Sequence, residues 1–213
     1  MLRFERSSFY LVLSNLVTMV VAVVDGWSLS EVMWIYWAQS LVIGFSNWRR
    51  MLRLRQFSTS GFTFNDGPVP ETRAGKRLVA TFFAFHYGFF HLIYFFFLFA
   101  GEAPPRGLNL IGVIVCVAIF IVNHQYSYRH NLEVDFARRP NIGTMMFFPY
   151  ARILPMHITI IAGGSLGGQS TGTLLIFLGL KTLADLIMHM VEHRREKGPA
   201  VTVPSIGGPD GAV

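Results

Sequence analysis

Cysteine is nearly absent: Cys116 is the only one in 213 residues, so neither a disulfide framework nor a Cys-rich metal motif is available. Any metal would have to be held by His and carboxylate side chains. Charge is scarce as well, at 14% of residues against about a quarter in soluble domains, while 52% are hydrophobic and the mean hydropathy is +0.45. Such a chain belongs in lipid. The few charges are unbalanced, 18 basic against 12 acidic, but the excess is accounted for by membrane topology and anionic lipid, which excludes nucleic acid as a partner.

Long apolar runs are abundant. Crossing about 30 Å of hydrocarbon takes about 20 helical residues, and six runs of that kind fall at about 8–24, 30–48, 77–99, 107–128, 145–165 and 171–193. The expected fold is therefore an all-α polytopic membrane protein, a single six-helix domain over 1–197 with a flexible cytoplasmic tail at 198–213. Basic residues gather at the amino end (Arg3, Arg6), in the second and fourth connections, and at the carboxyl end (Arg194, Arg195, Lys197), whereas the opposite loops hold only Arg106. By the positive-inside tendency both termini are cytoplasmic, and the expected location is a prokaryotic inner membrane. The first run offers no convincing small-residue cleavage site and is taken as a retained helix. The loop 56–75, "QFSTSGFTFNDGPVPETRAG", is long enough to be functional or ordered by a partner.

The sixth run, "LKTLADLIMHMVEHRR", carries ionisable groups. At 100° per residue Lys181, Thr182, Asp185, His189, Glu192 and His193 share one face and Leu183, Ile187, Met190 and Val191 take the other. A charge at the bilayer centre costs about 3 kcal/mol or more, so this stripe should face the bundle interior or an aqueous cavity. Rise per residue puts Asp185 about 10 Å and Lys181 about 16 Å from the cytoplasmic edge. Gln39, His86, Asn123, His124, Arg152 and His157 fall at similar depth on four other helices, whereas His91 lies about 140° around from His86 and deeper. In the fifth run, "FPYARILPMH", Pro149 and Pro155 each remove an amide donor; a kink is expected at Pro155, with Pro149 at the helix start.

Two accounts of the stripe stay open: a Lys181–Asp185 pair at i, i+4, or a transition-metal or haem site. The metal-ligand candidates are His86, His124, His157, Asp185, His189, Glu192 and His193, with Gln39, Asn123, Arg152 and Lys181 as a surrounding polar network. Imidazole suits Zn, Fe or Cu, and two facing histidines would suit a b-type haem. "HMVEH" at 189–193 fits H-x-x-E-H without an identifiable third ligand, and "GGSLG" at 163–167 matches G-x-S-x-G without the strand-turn-helix setting, so neither defines an enzyme.

The segments "WIYWAQS", "HYGFFH", "NHQYS", "PYARILPMH" and "LKTLADLIMHMVEH" resemble a family of uncharacterised prokaryotic six-helix membrane proteins over about residues 30–193. That resemblance implies the membrane architecture and brings no catalytic residues. On the residues alone, metal or haem binding is the leading chemistry. The alternatives are an accessory subunit of a larger membrane complex and a proton-coupled or anion transporter using Arg152, Lys181 and Asp185. Other membrane subunits, or further copies of the chain, would dock through the Gly-rich helix ends and the tail.

Overall fold

The computed structural model describes residues 26–101, 110–163 and 170–196, together with helical Leu16, Met19, Val20, Val23 and Val24. The expected first helix at 8–24 otherwise lies outside the described residues, as does the tail. Among the described residues the architecture is all-α, with one two-stranded hairpin: α1 (Leu29–Arg53), β1 (Thr63–Phe64), β2 (Gly67–Pro68), α2 (Arg73–Gly101), α3 (Leu110–Phe136), α4 (Ile142–Phe147), a 3-10 helix (Phe148–Arg152), α5 (Ile153–Gly163) and α6 (Thr171–Glu196).

Local chemistry sets several boundaries. α1 opens on a capping box: the Glu31 amide donates to the Ser28 hydroxyl at 3.1 Å and the Ser28 amide donates to the Glu31 carboxylate at 3.0 Å, so two orphan donors are satisfied. α4 starts at Asn141, whose side-chain oxygen accepts from the Thr144 amide at 3.0 Å. α1 and α3 run past the expected 48 and 128, to Arg53 and Phe136. Their ends are held together by Arg50 and Asp135, 2.8 Å apart and largely buried, and by Arg49 and Arg53, which lie over the Tyr128 ring. Basic residues assigned to connections on hydropathy thus continue the helices, because a paired or ring-stacked side chain is tolerated beyond the apolar run.

The fifth expected span is three pieces. The interruption is at Phe148–Arg152, around Pro149, rather than at Pro155. Pro149 cannot donate and stands at the start of the 3-10 turn, whereas Pro155 occupies the first turn of α5, where an amide donor has no intrahelical carbonyl to meet in any case.

α1 and α2 pack closely because Gly44 leaves room for the Tyr87 ring, whose hydroxyl donates to the Ser40 carbonyl at 2.9 Å. Asn47 of α1 donates to the Met145 carbonyl of α4 at 2.9 Å. Between the helices lies a core in which Tyr36, Phe83, Tyr94, Met145, Met156 and Phe177 are almost fully buried.

The loop after α1 is docked on its own chain. Asn65 and Asp66 take positive φ (49° and 62°) and close the hairpin, residue types that tolerate the left-handed region. Ser58 bridges Asn141: its amide donates to the Pro140 carbonyl and its carbonyl accepts from the Ile142 amide, both at 2.9 Å. Phe57 and Val69 are buried beneath, and Arg139 forms an ion pair with Glu71. The Glu71 carboxyl is held below its ordinary range, first by the Thr59 amide that donates to it and then by Arg139.

Candidate functional site

The Lys181–Asp185 pair is present, with Lys181 Nζ 2.8 Å from Asp185 Oδ2. A second cation joins it. Arg152, carried in at the end of the 3-10 helix, donates from a terminal guanidinium nitrogen to Asp185 Oδ1 at 3.1 Å. One carboxylate therefore bridges two cations, each through its own oxygen, and the three groups together carry a formal charge of +1. The cluster is enclosed: Arg152 is 9% exposed, and the side chains of Asp185 and Lys181 are mostly covered.

Tyr36 of α1 forms the third wall and is 1% exposed. The Arg152 guanidinium carbon lies 4.8 Å from its ring centroid and Lys181 Nζ 5.9 Å, so the negative face of one ring meets both cations. Phe177 abuts the same ring edge-on at 5.4 Å. Among the described residues, two buried polar atoms here have no hydrogen-bond partner: Arg152 Nε and the Tyr36 hydroxyl. Over nine-tenths of buried polar groups are satisfied in folded proteins, so two orphans beside one charge cluster call for an explanation.

The histidines are distributed differently from the single layer expected. His86 Nδ1 is 2.7 Å from the Tyr150 hydroxyl, and His157 Nδ1 is 3.1 Å from the Tyr94 hydroxyl. Tyr94 lies eight residues beyond His86 on α2, about 12 Å along the axis, so His86 and His157 do not face one another at one depth. His124 stacks on Phe120, with ring centroids 5.6 Å apart. His91 is 2% exposed and donates from Nδ1 to the Tyr87 carbonyl at 2.9 Å, a core histidine apart from the charge cluster. Gln39 is half-buried on α1. The side chains of Asn123, His189, Glu192 and His193 lie outside the described residues. Among the described residues no group of three or more His, Cys, Asp and Glu side chains is placed to hold a metal ion.

Sequence reasoning missed Tyr36, Tyr94 and Tyr150, each of which is a partner of a predicted site residue. Their signal was available, since tyrosines inside apolar runs need partners for their hydroxyls.

Among the described residues these features define an all-α architecture in which two helical stretches, Arg73–Ala100 and Thr171–Met188, are long and apolar enough to cross a membrane, with an ionic cluster enclosed between helices. The chain belongs to a family of unknown function (DUF6498), whose model matches residues 3–202. No curated protein and no solved structure matches it.

Proposed function

We propose that this is a six-helix protein of a prokaryotic inner membrane, with both termini cytoplasmic, whose functional centre is a small-anion site formed by Arg152, Lys181 and Tyr36 around Asp185. The membrane assignment draws support from the apolar surface of α2, where Phe85 is 76% exposed and Phe89, Phe96, Phe97 and Phe99 are also open. An apolar face of that extent needs lipid or protein against it. The anion assignment rests on one observation: among the described residues, two buried polar atoms beside the charge cluster, Arg152 Nε and the Tyr36 hydroxyl, have no hydrogen-bond partner. Intramembrane ionisable groups next to an interrupted helix are a recurrent setting for substrate and ion pathways, and a guanidinium suits oxyanions. The function class is an anion transporter.

The purified chain in detergent should gain thermal stability, saturably, from at least one of chloride, acetate, sulfate and phosphate, and Arg152→Gln should abolish the gain. Protein stabilised by none of these anions defeats the proposal. Metal or haem binding is placed second, because Asp185, the central carboxylate of that candidate set, is engaged by two cations. An absorption spectrum and elemental analysis of protein purified without added metal test it, through a Soret band or a stoichiometric metal.

A further inference from the structure

The ends of α1 and α3 that Arg50 and Asp135 tie together are crowded with arginine. Arg49, Arg50, Arg53, Arg55 and Arg129 gather there beside two acids, Glu133 and Asp135. Asp135 is taken by Arg50, and among the described residues Glu133 is in no ion pair. Arg49 and Arg53 stand one turn apart on α1 and share one ring, with guanidinium carbons 5.6 and 6.0 Å from the centroid of Tyr128. Like charges at i, i+4 repel. The carboxyl end of the α1 dipole offsets about half an elementary charge, against two whole ones. A ring face attracts a guanidinium without accepting all five of its N–H donors, and neither side chain donates a hydrogen bond to a described residue. Tyr128 is itself 6% exposed, and its enclosed hydroxyl has no hydrogen-bond partner among the described residues. Donors outnumber acceptors at this corner.

The neighbouring surface is apolar. One and two turns back along α1 from Arg49 stand Phe45 and Leu41, and two turns back along α3 from Tyr128 stands Ile121, all three exposed. Arg49 lies over the Phe45 ring as well, at 5.7 Å, so the open hydrocarbon face runs directly into the guanidiniums. An apolar face needs hydrocarbon against it, and paired guanidiniums suit the oxygens of a phosphate. One amphiphile meets both demands. We propose that Arg49 and Arg53, held over Tyr128, bind the phosphate of an anionic phospholipid whose acyl chains lie along Phe45, Leu41 and Ile121. The depth agrees with the chemistry, because the apolar run at 30–48 ends one residue before Arg49, where the head-group layer begins. Free phosphate would answer the cations and leave the apolar face open. The inference rests on the membrane assignment and is independent of the anion site at Arg152.

The test is retention of dioleoylphosphatidylglycerol by the full chain in detergent micelles, measured after gel filtration. Its comparison is dioleoylphosphatidylcholine, which has the same acyl chains and phosphodiester but adds a cation beside the arginines. Saturable retention of the anionic lipid is expected, at least about tenfold tighter than the zwitterionic one, and Arg49→Gln with Arg53→Gln should weaken it about tenfold or more, as loss of charge-assisted hydrogen bonds does. Arg55→Gln, which removes an equal charge nearby over the Phe136 ring, should leave it unchanged. Equal retention of the two lipids by the unaltered chain overturns the site without recourse to any variant. An equal loss from Arg55→Gln overturns it as well, since a diffuse basic surface then accounts for the binding. Displacement of the lipid by inorganic phosphate at the same concentration makes a free anion the ligand and overturns the lipid. Chain recovered without detergent in the soluble fraction overturns the membrane assignment beneath, whereas micellar chain that prefers neither lipid overturns this site alone.

Discussion

Replacing Asp185 by Asn is the most direct probe of the charge cluster. The carboxylate lies 3.1 Å from Arg152 and 2.8 Å from Lys181, and at an effective dielectric of about 20 each contact is worth about 5 to 6 kcal/mol of Coulomb attraction. Desolvation of the three charges consumes most of that sum. What the substitution exposes is chiefly the loss of the carboxylate from Arg152, which has 10% of its side chain accessible against 20% for Lys181. Lysine can withdraw along its flexible stem, but the guanidinium, wedged against Tyr36, has less freedom. Loss of one partner of a buried pair costs about 3 to 5 kcal/mol, and with Lys181 partly relieved about 3 kcal/mol is expected for Asp185→Asn. Lys181→Met combined with Asp185→Leu should recover only part, since Arg152 still lacks a carboxylate; adding Arg152→Met should recover more. Denaturant unfolding in detergent micelles, followed by tryptophan fluorescence, would measure the series as a mutant cycle. A loss below about 1 kcal/mol for Asp185→Asn, or strictly additive losses through the triple variant, would refute the bridging role.

Asp135→Asn should destabilise the chain by about 2 to 3 kcal/mol on the same assay, because Arg50 is left largely buried without its carboxylate, whereas Glu133→Gln nearby should have little effect. Gly44→Ala should cost about 1 to 3 kcal/mol, since its Cβ would overlap the buried Tyr87 ring that donates to the Ser40 carbonyl. Asn141→Ala removes both the α4 cap and the bond from Asn141 Nδ2 to the Ser60 carbonyl (2.8 Å), so about 1 to 2 kcal/mol should be lost and protease cleavage near the hairpin should quicken. The Arg139–Glu71 clamp should open in acid. The folded carboxyl titrates below its ordinary 4.5, so its contribution is complete above that value and disappears as pH falls through the lower, folded one. Faster cleavage of the loop as pH falls below the ordinary carboxylate range, absent from Glu71→Gln, is the expected signature.

Much of this was legible along the chain. Apolar runs located α1, α2 and α6 to within a few residues, and the four-residue spacing of Lys181 and Asp185 predicted their contact, because both properties depend on helix geometry alone. The loop 56–75 showed its Gly and Pro content but not its docking, which needs Asn141 and Arg139 from beyond α3. Depth estimates gathered the histidines into one layer, since rise per residue measures position along an axis and carries no information about which neighbour a ring meets. His86 and His157 found different tyrosines, and His91 turned into the core.

Sequence alone determined a helix-rich, apolar chain with a polar face on α6, for the pattern that buries a face repeats every few residues and can be read locally. Only the tertiary structure decided that Asp185 also binds Arg152, thirty-three residues away, and that the Tyr36 ring meets both Arg152 and Lys181. The 3-10 turn at Phe148–Arg152 sets where the guanidinium enters, and the packing of α1 against α6 brings the Tyr36 ring beneath it. Those contacts arise from the relative placement of separate helices, a property of the packed core that no periodicity within one helix encodes.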